Sequence, residues 1–290
     1  MELVHTVEWM RQAARQAREE GAIVGLVPTM GALHAGHLSL VRAACAACSN
    51  VVVSIFVNPT QFAPGEDYSR YPRTLDADRA AVAPLGVHYL FAPPVEEMYP
   101  PSFSTSVVVE GLSERFEGRS RPGHFRGVAT VVLKLLEIVH PSAAYFGRKD
   151  AQQARIIRQM ASDLALGSEI VVCPIVREPD GLALSSRNSY LDGRERAAAT
   201  VLHRALATVR ERVEGGERRA APLVEEMRRK LAGEPLAAID YAEIVNGDTF
   251  EPVTTVRGSC LAVLAAFIGS TRLLDNLSIE ECNGRVTCTL

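Results

Sequence analysis

Up to about residue 175 the chain alternates short apolar runs with stretches of helical period, and this alternation restricts the fold more than any other feature. Residues 22–28 (AIVGLVP), 50–57 (NVVVSIFV), 87–91, 143–146 and 169–174 read as strands, rich in side chains that suit a pleated surface. Residues 37–49, 75–85, 127–139 (GVATVVLKLLEIV) and 151–164 read as helices. Strands that are apolar throughout, rather than alternating, need cover on both faces. With right-handed crossovers, the pattern predicts an α/β fold, a Rossmann-like doubly wound parallel sheet. Residues 1–21 read as a polar amphipathic helix.

The rest of the chain reads differently. Residues 194–214 form one long predicted helix, stopped by Gly215 and Gly216, and residues 221–231 a second, with Pro222 near its start. Strand candidates follow at 239–245, 261–268 and 272–277, and residues 283–290 read as a frayed tail. This is a smaller C-terminal α+β domain. A chain of 290 residues has room for two domains at roughly 100–200 residues each. The expected division is 1–175 and 176–290.

Composition excludes several function classes. Lys plus Arg number 31 against 34 Asp plus Glu, a net charge of −3, so no basic surface for nucleic acid or membrane is indicated. No apolar run approaches the ~20 residues that span a bilayer. The N-terminus lacks the apolar core and cleavage site of a signal peptide, which predicts a cytoplasmic protein. Six cysteines are too sparse for a disulfide scaffold. Cys45 and Cys48 form a lone C-x-x-C with no second ligand pair and read as helix packing, and Cys173 and Cys260 read as packing residues in apolar strands.

The chemistry lies where strands end. Residues 28–37, PTMGALHAGH, run from the first strand into a helix and carry H-x-G-H. A helix N-terminus presents unpaired N–H groups and partial positive charge, Gly36 permits close approach of a phosphate, and His34 and His37 can donate to phosphate oxygens. Asn58 and Gln61, in VNPTQF, follow the second strand, where open α/β sheets bind ligands, and their amides suit a polar hydroxy acid. Asp76 and Asp78 begin a predicted helix, which alone explains them through the helix dipole; the functional alternative is help for magnesium on ATP. Arg121, His124 and Arg126, in SRPGHFRG, could face an anion. Lys149, in FGRKDAQQ, would be a point charge for phosphate, Asp150 an acceptor for ribose hydroxyls, with Gln153 one turn on. Ser185, Ser186 and Arg187 sit in a Pro/Gly-rich loop that suits a mobile phosphate clamp.

Together with TRLLDN at 271–276, these segments resemble the pantothenate synthetase (pantoate–β-alanine ligase) family of the HIGH/KMSKS nucleotidyltransferase superfamily, in the family's order and over nearly the whole chain. The resemblance implies an ATP- and Mg²⁺-dependent ligase, forming pantothenate for coenzyme A biosynthesis through pantoyl adenylate and releasing AMP and pyrophosphate. It implies a nucleotide- and pantoate-binding first domain, and a second, lid domain opening with the KMSKS-like loop. Its implied ATP site comprises Pro28, Thr29, Met30, Gly31, Ala32, Leu33, His34, Ala35, Gly36 and His37, then Gly147, Arg148, Lys149, Asp150 and Val176, then Leu184, Ser185, Ser186 and Arg187. His37, His34, Lys149 and Arg187 are the implied catalytic groups. Gln61, Gln153, Asn58 and Arg121 are the substrate-binding candidates and Asp78 the magnesium candidate. Ala77, Arg148 and Leu184 depart from the commoner family residues. A homodimer is implied too, and the apolar strand at 51–56 suits a sheet buried at a subunit interface or an internal strand equally. The partners are pantoate and β-alanine, with neither nucleic acid nor membrane. A nucleotidyltransferase acting on a phosphate-bearing acceptor is the alternative; it would want more cations at the acceptor edge.

Overall fold

Contacts divide the chain into two units, Met1–Arg148 with Gln152–Pro174, and Lys149–Ala151 with Ile175–Leu290. The computed structural model describes every residue except Pro64 and Asn283. The first part of the chain runs β1 (Glu2–Val4), α1 (Val7–Glu19), β2 (Val24–Thr29), α2 (Ala35–Ala47), β3 (Asn50–Ile55), α3 (Leu75–Val82), β4 (Tyr89–Phe91), α4 (Val95–Met98), α5 (Glu117–Ser120), α6 (His124–Val139), β5 (Ala143–Gly147), α7 (Ala151–Asp163) and β6 (Glu169–Cys173).

Six strands pair in parallel in the order β1-β4-β3-β2-β5-β6. The doubly wound α/β expectation is borne out. Leu26 and Val27 of β2 and Val51, Val52 and Val53 of β3 are each 0% exposed, as central strands of a covered sheet require. At roughly 1.5–3 kcal/mol per buried aliphatic side chain, these strands anchor the unit. The strand order reverses at β2, with β3 and β4 on one side and β5 and β6 on the other. Segments 28–37, 58–61 and 146–153 therefore follow the carboxyl ends of three adjacent strands, where such sheets bind ligands.

One expectation needs correction here. The first residues are not all helical: Glu2–Val4 pairs with Tyr89–Phe91 as an edge strand. Three residues are too few for any period to register. The apolar stretch at 51–56 falls largely in β3, an internal strand between β4 and β2, so burial within this sheet accounts for it without a subunit interface.

The second part contains α8 (Gly193–Ala199), α9 (Val201–Glu214), α10 (Ala220–Ala232), β7 (Ala237–Asn246), β8 (Ser259–Ile268), β9 (Thr271–Cys282) and β10 (Arg285–Thr289). The strands form an antiparallel sheet in the order β10-β9-β8-β7. Leu202, Leu206, Val209, Leu223 and Met227 of α9 and α10 pack with Ala262, Leu264, Leu277 and Ile279 of the sheet. The single helix expected at 194–214 is two. The Thr200 hydroxyl donates to Ala197 O at 2.8 Å, and such back-bonding competes with the helical ladder. The tail at 283–290 is not frayed: Asn283 lies outside the described residues, but Arg285–Thr289 pairs with β9. Val286, Cys288 and Leu290 pack against the core there, a period-2 signal present in the sequence. Cys48, Cys173 and Cys260 are buried packing residues.

Candidate active site

The turn after β2 is held from a distance. Gly31 has φ +84° and Ala32 φ 49°, so two successive residues occupy the left-handed region. For alanine this costs on the order of 1 kcal/mol. The Asp78 carboxylate of α3 offsets it, accepting from the Leu33 amide at 2.7 Å and the Ala32 amide at 3.0 Å. Thr74 Oγ1 adds a third donor at 3.2 Å. A Cβ at Gly31 would stand 3.0 Å from Asp78 Oδ2 and from Ile55 Cγ2, so glycine serves both the backbone angle and the close approach.

That turn delivers two histidines to the start of α2. His34 is the N-cap, its Nδ1 accepting from the Gly36 amide at 3.2 Å. His37 reaches back, its Nδ1 accepting from the His34 amide at 3.4 Å. The pair forms a capping box, a role the sequence reading did not assign. Because each Nδ1 is an acceptor, the proton of each unprotonated ring sits on Nε2. The ring centroids are 4.1 Å apart with planes 35° from parallel. Both rings lie at the positive end of the α2 dipole.

After β3, Asn58 is 1% exposed and its amide is committed. Its Nδ2 donates to Gln61 Oε1 at 3.0 Å and to Gly127 O at 3.1 Å. Its Oδ1 accepts from Tyr99 OH and Thr60 Oγ1, both at 2.9 Å. Asn58 orients Gln61, and both of its N–H donors are bonded within the protein. Gln61 Nε2 points to Met30 Sδ at 2.9 Å, a weak acceptor that a carboxylate would outcompete. The α6 helix must approach closely for this arrangement: a Cβ at Gly127 would overlap the Thr60 carbonyl.

Arg121 is likewise bonded within the protein. It is paired bidentately with Glu66, Nε to Oε1 at 2.7 Å and Nη2 to Oε2 at 2.8 Å. Its Nη1 lies 3.1 Å from His124 Nε2, and His124 Nδ1 donates to Gln61 O at 2.8 Å. Burial first, then the Arg121 charge, holds His124 at a pKa of about 4, so the ring is neutral and its Nε2 accepts a hydrogen bond from Arg121. Burial pushes Glu66 up, but the Arg121 hydrogen bonds and charge bring it below its usual range. Arg121 therefore fixes the backbone of Gln61, directly and through His124.

The remaining candidates are placed as follows. Gln153 is half-buried in the first turn of α7. Its neighbour Gln152, which the sequence reading passed over, is buried and donates to Leu112 O at 2.8 Å and Arg115 O at 2.9 Å. Lys149 Nζ is 3.4 Å from Asp150 Oδ1. Val176 O accepts from the Leu184 amide at 3.0 Å, closing a narrow loop. Ser185 caps the short helical turn Ser186–Tyr190, accepting from the Arg187 amide at 3.3 Å. Arg148 lies in the turn Arg148–Asp150 that follows Gly147.

The residues do not fit a magnesium site built on Asp78. Its carboxylate is 3% exposed and serves three protein donors. Among the described residues no group of three His, Cys, Asp or Glu side chains is placed to hold a metal. Helical period carried the signal for this role: Leu75, Asp78 and Val82 share one face of α3, which sets Asp78 inward and Asp76 outward.

A family model described as pantoate-beta-alanine ligase matches residues 2–278. A pantothenate synthetase of Caldicellulosiruptor saccharolyticus is 52% identical over 280 residues, covering 97% of this chain and 100% of that protein. That of Heliobacterium modesticaldum is 54% identical over 280 residues, with the same coverage of 97% and 100%. The crystal structure of the pantothenate synthetase from Thermus thermophilus superposes with a TM-score of 0.92 at 48% identity, covering 96% of this chain and 99% of that one. The pantoate-beta-alanine ligase of Francisella tularensis, solved with beta-gamma ATP and beta-alanine, gives 0.78 at 34% identity, covering 95% and 97%.

Proposed function

The chain belongs to the pantoate-beta-alanine ligase family, and from that premise we propose what each part of it does in joining pantoate to β-alanine. The reaction has two halves. A carboxylate oxygen of pantoate attacks the α-phosphorus of ATP, the bond to the bridging oxygen breaks, and pyrophosphate leaves with the electron pair. The amine of β-alanine then attacks the carbonyl of pantoyl adenylate. The bond to the phosphate oxygen breaks, AMP leaves, the amine loses a proton, and pantothenate results.

A carboxylate nucleophile needs no general base, so the protein's task is orientation and stabilisation of charge. His34 and His37 donate to phosphate oxygens as charge moves onto pyrophosphate, together with the first amides of α2. The observation that carries this reading is the capping box, which holds both Nδ1 atoms as acceptors and so fixes the proton on Nε2 of each ring. Gln61 donates to pantoate, supported by the weak acceptor its Nε2 now faces. Gln153 is the second pantoate amide. Lys149, Ser185, Ser186 and Arg187 bind phosphates, and Gly147, Asp150 and Val176 the nucleoside.

Magnesium belongs to the family resemblance. Held on ATP, the ion would take most of its shell from phosphates and water; among the described residues no carboxylate cage is placed for it. A homodimer rests on the family resemblance as well; among the described residues no helix is long and apolar enough to cross a membrane.

The test is AMP release from ATP by the purified protein with Mg²⁺, pantoate and β-alanine, each omitted in turn. AMP formation that requires both acids, with pantothenate detected by mass spectrometry, is expected. ATP binding without turnover would move the assignment to a different acceptor.

A further inference from the structure

The motif at 271–276 contributes no group to the chemistry above, yet it carries an anomaly. Along β9, Leu273, Leu277 and Ile279 point into the helix-covered core. Asp275 falls on the same face, opposite Leu264 of β8, and is 3% exposed. A carboxylate in that position is costly unless it is paired and hydrogen-bonded. It is paired with Arg177, Nη1 to Oδ2 at 2.6 Å and Nη2 to Oδ1 at 2.9 Å.

Arg177 closes a loop. Its Nη1 donates to Gly181 O at 3.0 Å, while Arg177 bridges Ala183 across the loop and the Leu184 amide reaches Val176 O at 3.0 Å. The next residues are Ser185, Ser186 and Arg187. Asn276, on the opposite face of β9, is 2% exposed and donates from Nδ2 to Lys149 O at 2.9 Å. Two adjacent residues of one strand thus tie down both segments of this unit that carry phosphate-binding side chains.

We propose that Asp275 and Asn276 are positioning residues for adenylation: Asp275 sets the base of the Ser185–Ser186–Arg187 segment through Arg177, and Asn276 sets the backbone of Lys149. The inference rests on the assignment of those groups to phosphates. Neither residue touches a reactant. Those groups are taken to act on the two phosphates that leave as pyrophosphate, so the effect of Asp275 and Asn276 falls on the first half-reaction, because pyrophosphate is absent from the second.

Two variants test this. Asn276→Ala removes the donor to Lys149. The paired replacement Arg177→Met with Asp275→Leu removes both charges together and leaves no buried ion unpaired. Pantoate-dependent ATP–pyrophosphate exchange is measured for the first half. Rapid quench with β-alanine, after adenylate is formed in the presence of pyrophosphatase, reports the second. Ile279→Val, on the same strand, controls for general loosening. Exchange is expected to fall on the order of 10²-fold in kcat, as misplacement of charged groups by about 1 Å does. The second half and the Ile279→Val protein should stay within about threefold of the unsubstituted enzyme on the same reasoning. Near-normal exchange in the folded variants, or equal loss in both halves, overturns the positioning role. Absence of exchange in the unsubstituted protein would instead overturn the functional reading on which it rests.

Discussion

Asp78 reaches across 45 positions of sequence to accept the Leu33 amide at 2.7 Å, so a residue of α3 shapes the turn that presents both histidines. The carboxylate acts on the site by holding its backbone. Asp78→Ala should leave the Ala32 and Leu33 amides unsatisfied, each worth roughly 1–3 kcal/mol, and lower stability by about 2–6 kcal/mol in total. Urea unfolding in EDTA measures it. An unchanged midpoint without metal would sink the loop-holding role and return Asp78 to the list of metal ligands.

His37→Ala removes one donor aimed at developing charge. The adenylation rate should fall by a factor on the order of 10²–10³. Single-turnover formation of pantoyl adenylate is the measurement, and activity near that of the unsubstituted enzyme would refute the assignment. The capping hydrogen bond to His34 is lost as well, which adds a destabilisation of about 0.5–2 kcal/mol visible in thermal melts.

Gln61→Ala should raise KM for pantoate by about 10- to 100-fold, the worth of a hydrogen bond to a carboxylate. KM for ATP should change far less. Equal loss for both substrates would indicate collapse of the surrounding network, in which Asn58, Arg121 and His124 all converge on Gln61.

Acid should destabilise the protein through His124. Its folded pKa of about 4 lies below the ordinary 6.5, so the unfolded chain binds the proton more readily. The stabilisation is complete above pH 6.5 and is lost as pH falls toward 4. Between pH 7.5 and 5 the loss is about 2 kcal/mol from this group. Glu66, held below its usual range, adds a further loss only as pH falls through its own folded value. Urea titrations at the two pH values test the first step, and a flat profile between them contradicts it.

Much of the first unit was legible because its signals are local. Apolar strands at 22–28 and 50–57, the helix at 151–164 and the glycine-bearing turns each occupy a few consecutive residues, and the parallel sheet follows from their alternation. What failed was short or interrupted: Glu2–Val4 has too few residues for a period, and Thr200 breaks a helix with a hydrogen bond that composition does not reveal. The histidines of H-x-G-H were visible as donors, but not as caps.

By its own order the sequence determined the α/β class, the smaller α+β region that follows, and which segments sit at strand ends, because backbone propensity and side-chain period act between near neighbours. Only the tertiary structure decided what the polar residues do. Asn58 bonds Gln61 and Gly127, Arg121 pairs with Glu66, and Asp78 holds a turn; Asp275 lies 98 positions from the arginine it pairs with. A buried polar group takes whichever partner packing brings within about 3 Å, and that partner is chosen by the fold as a whole.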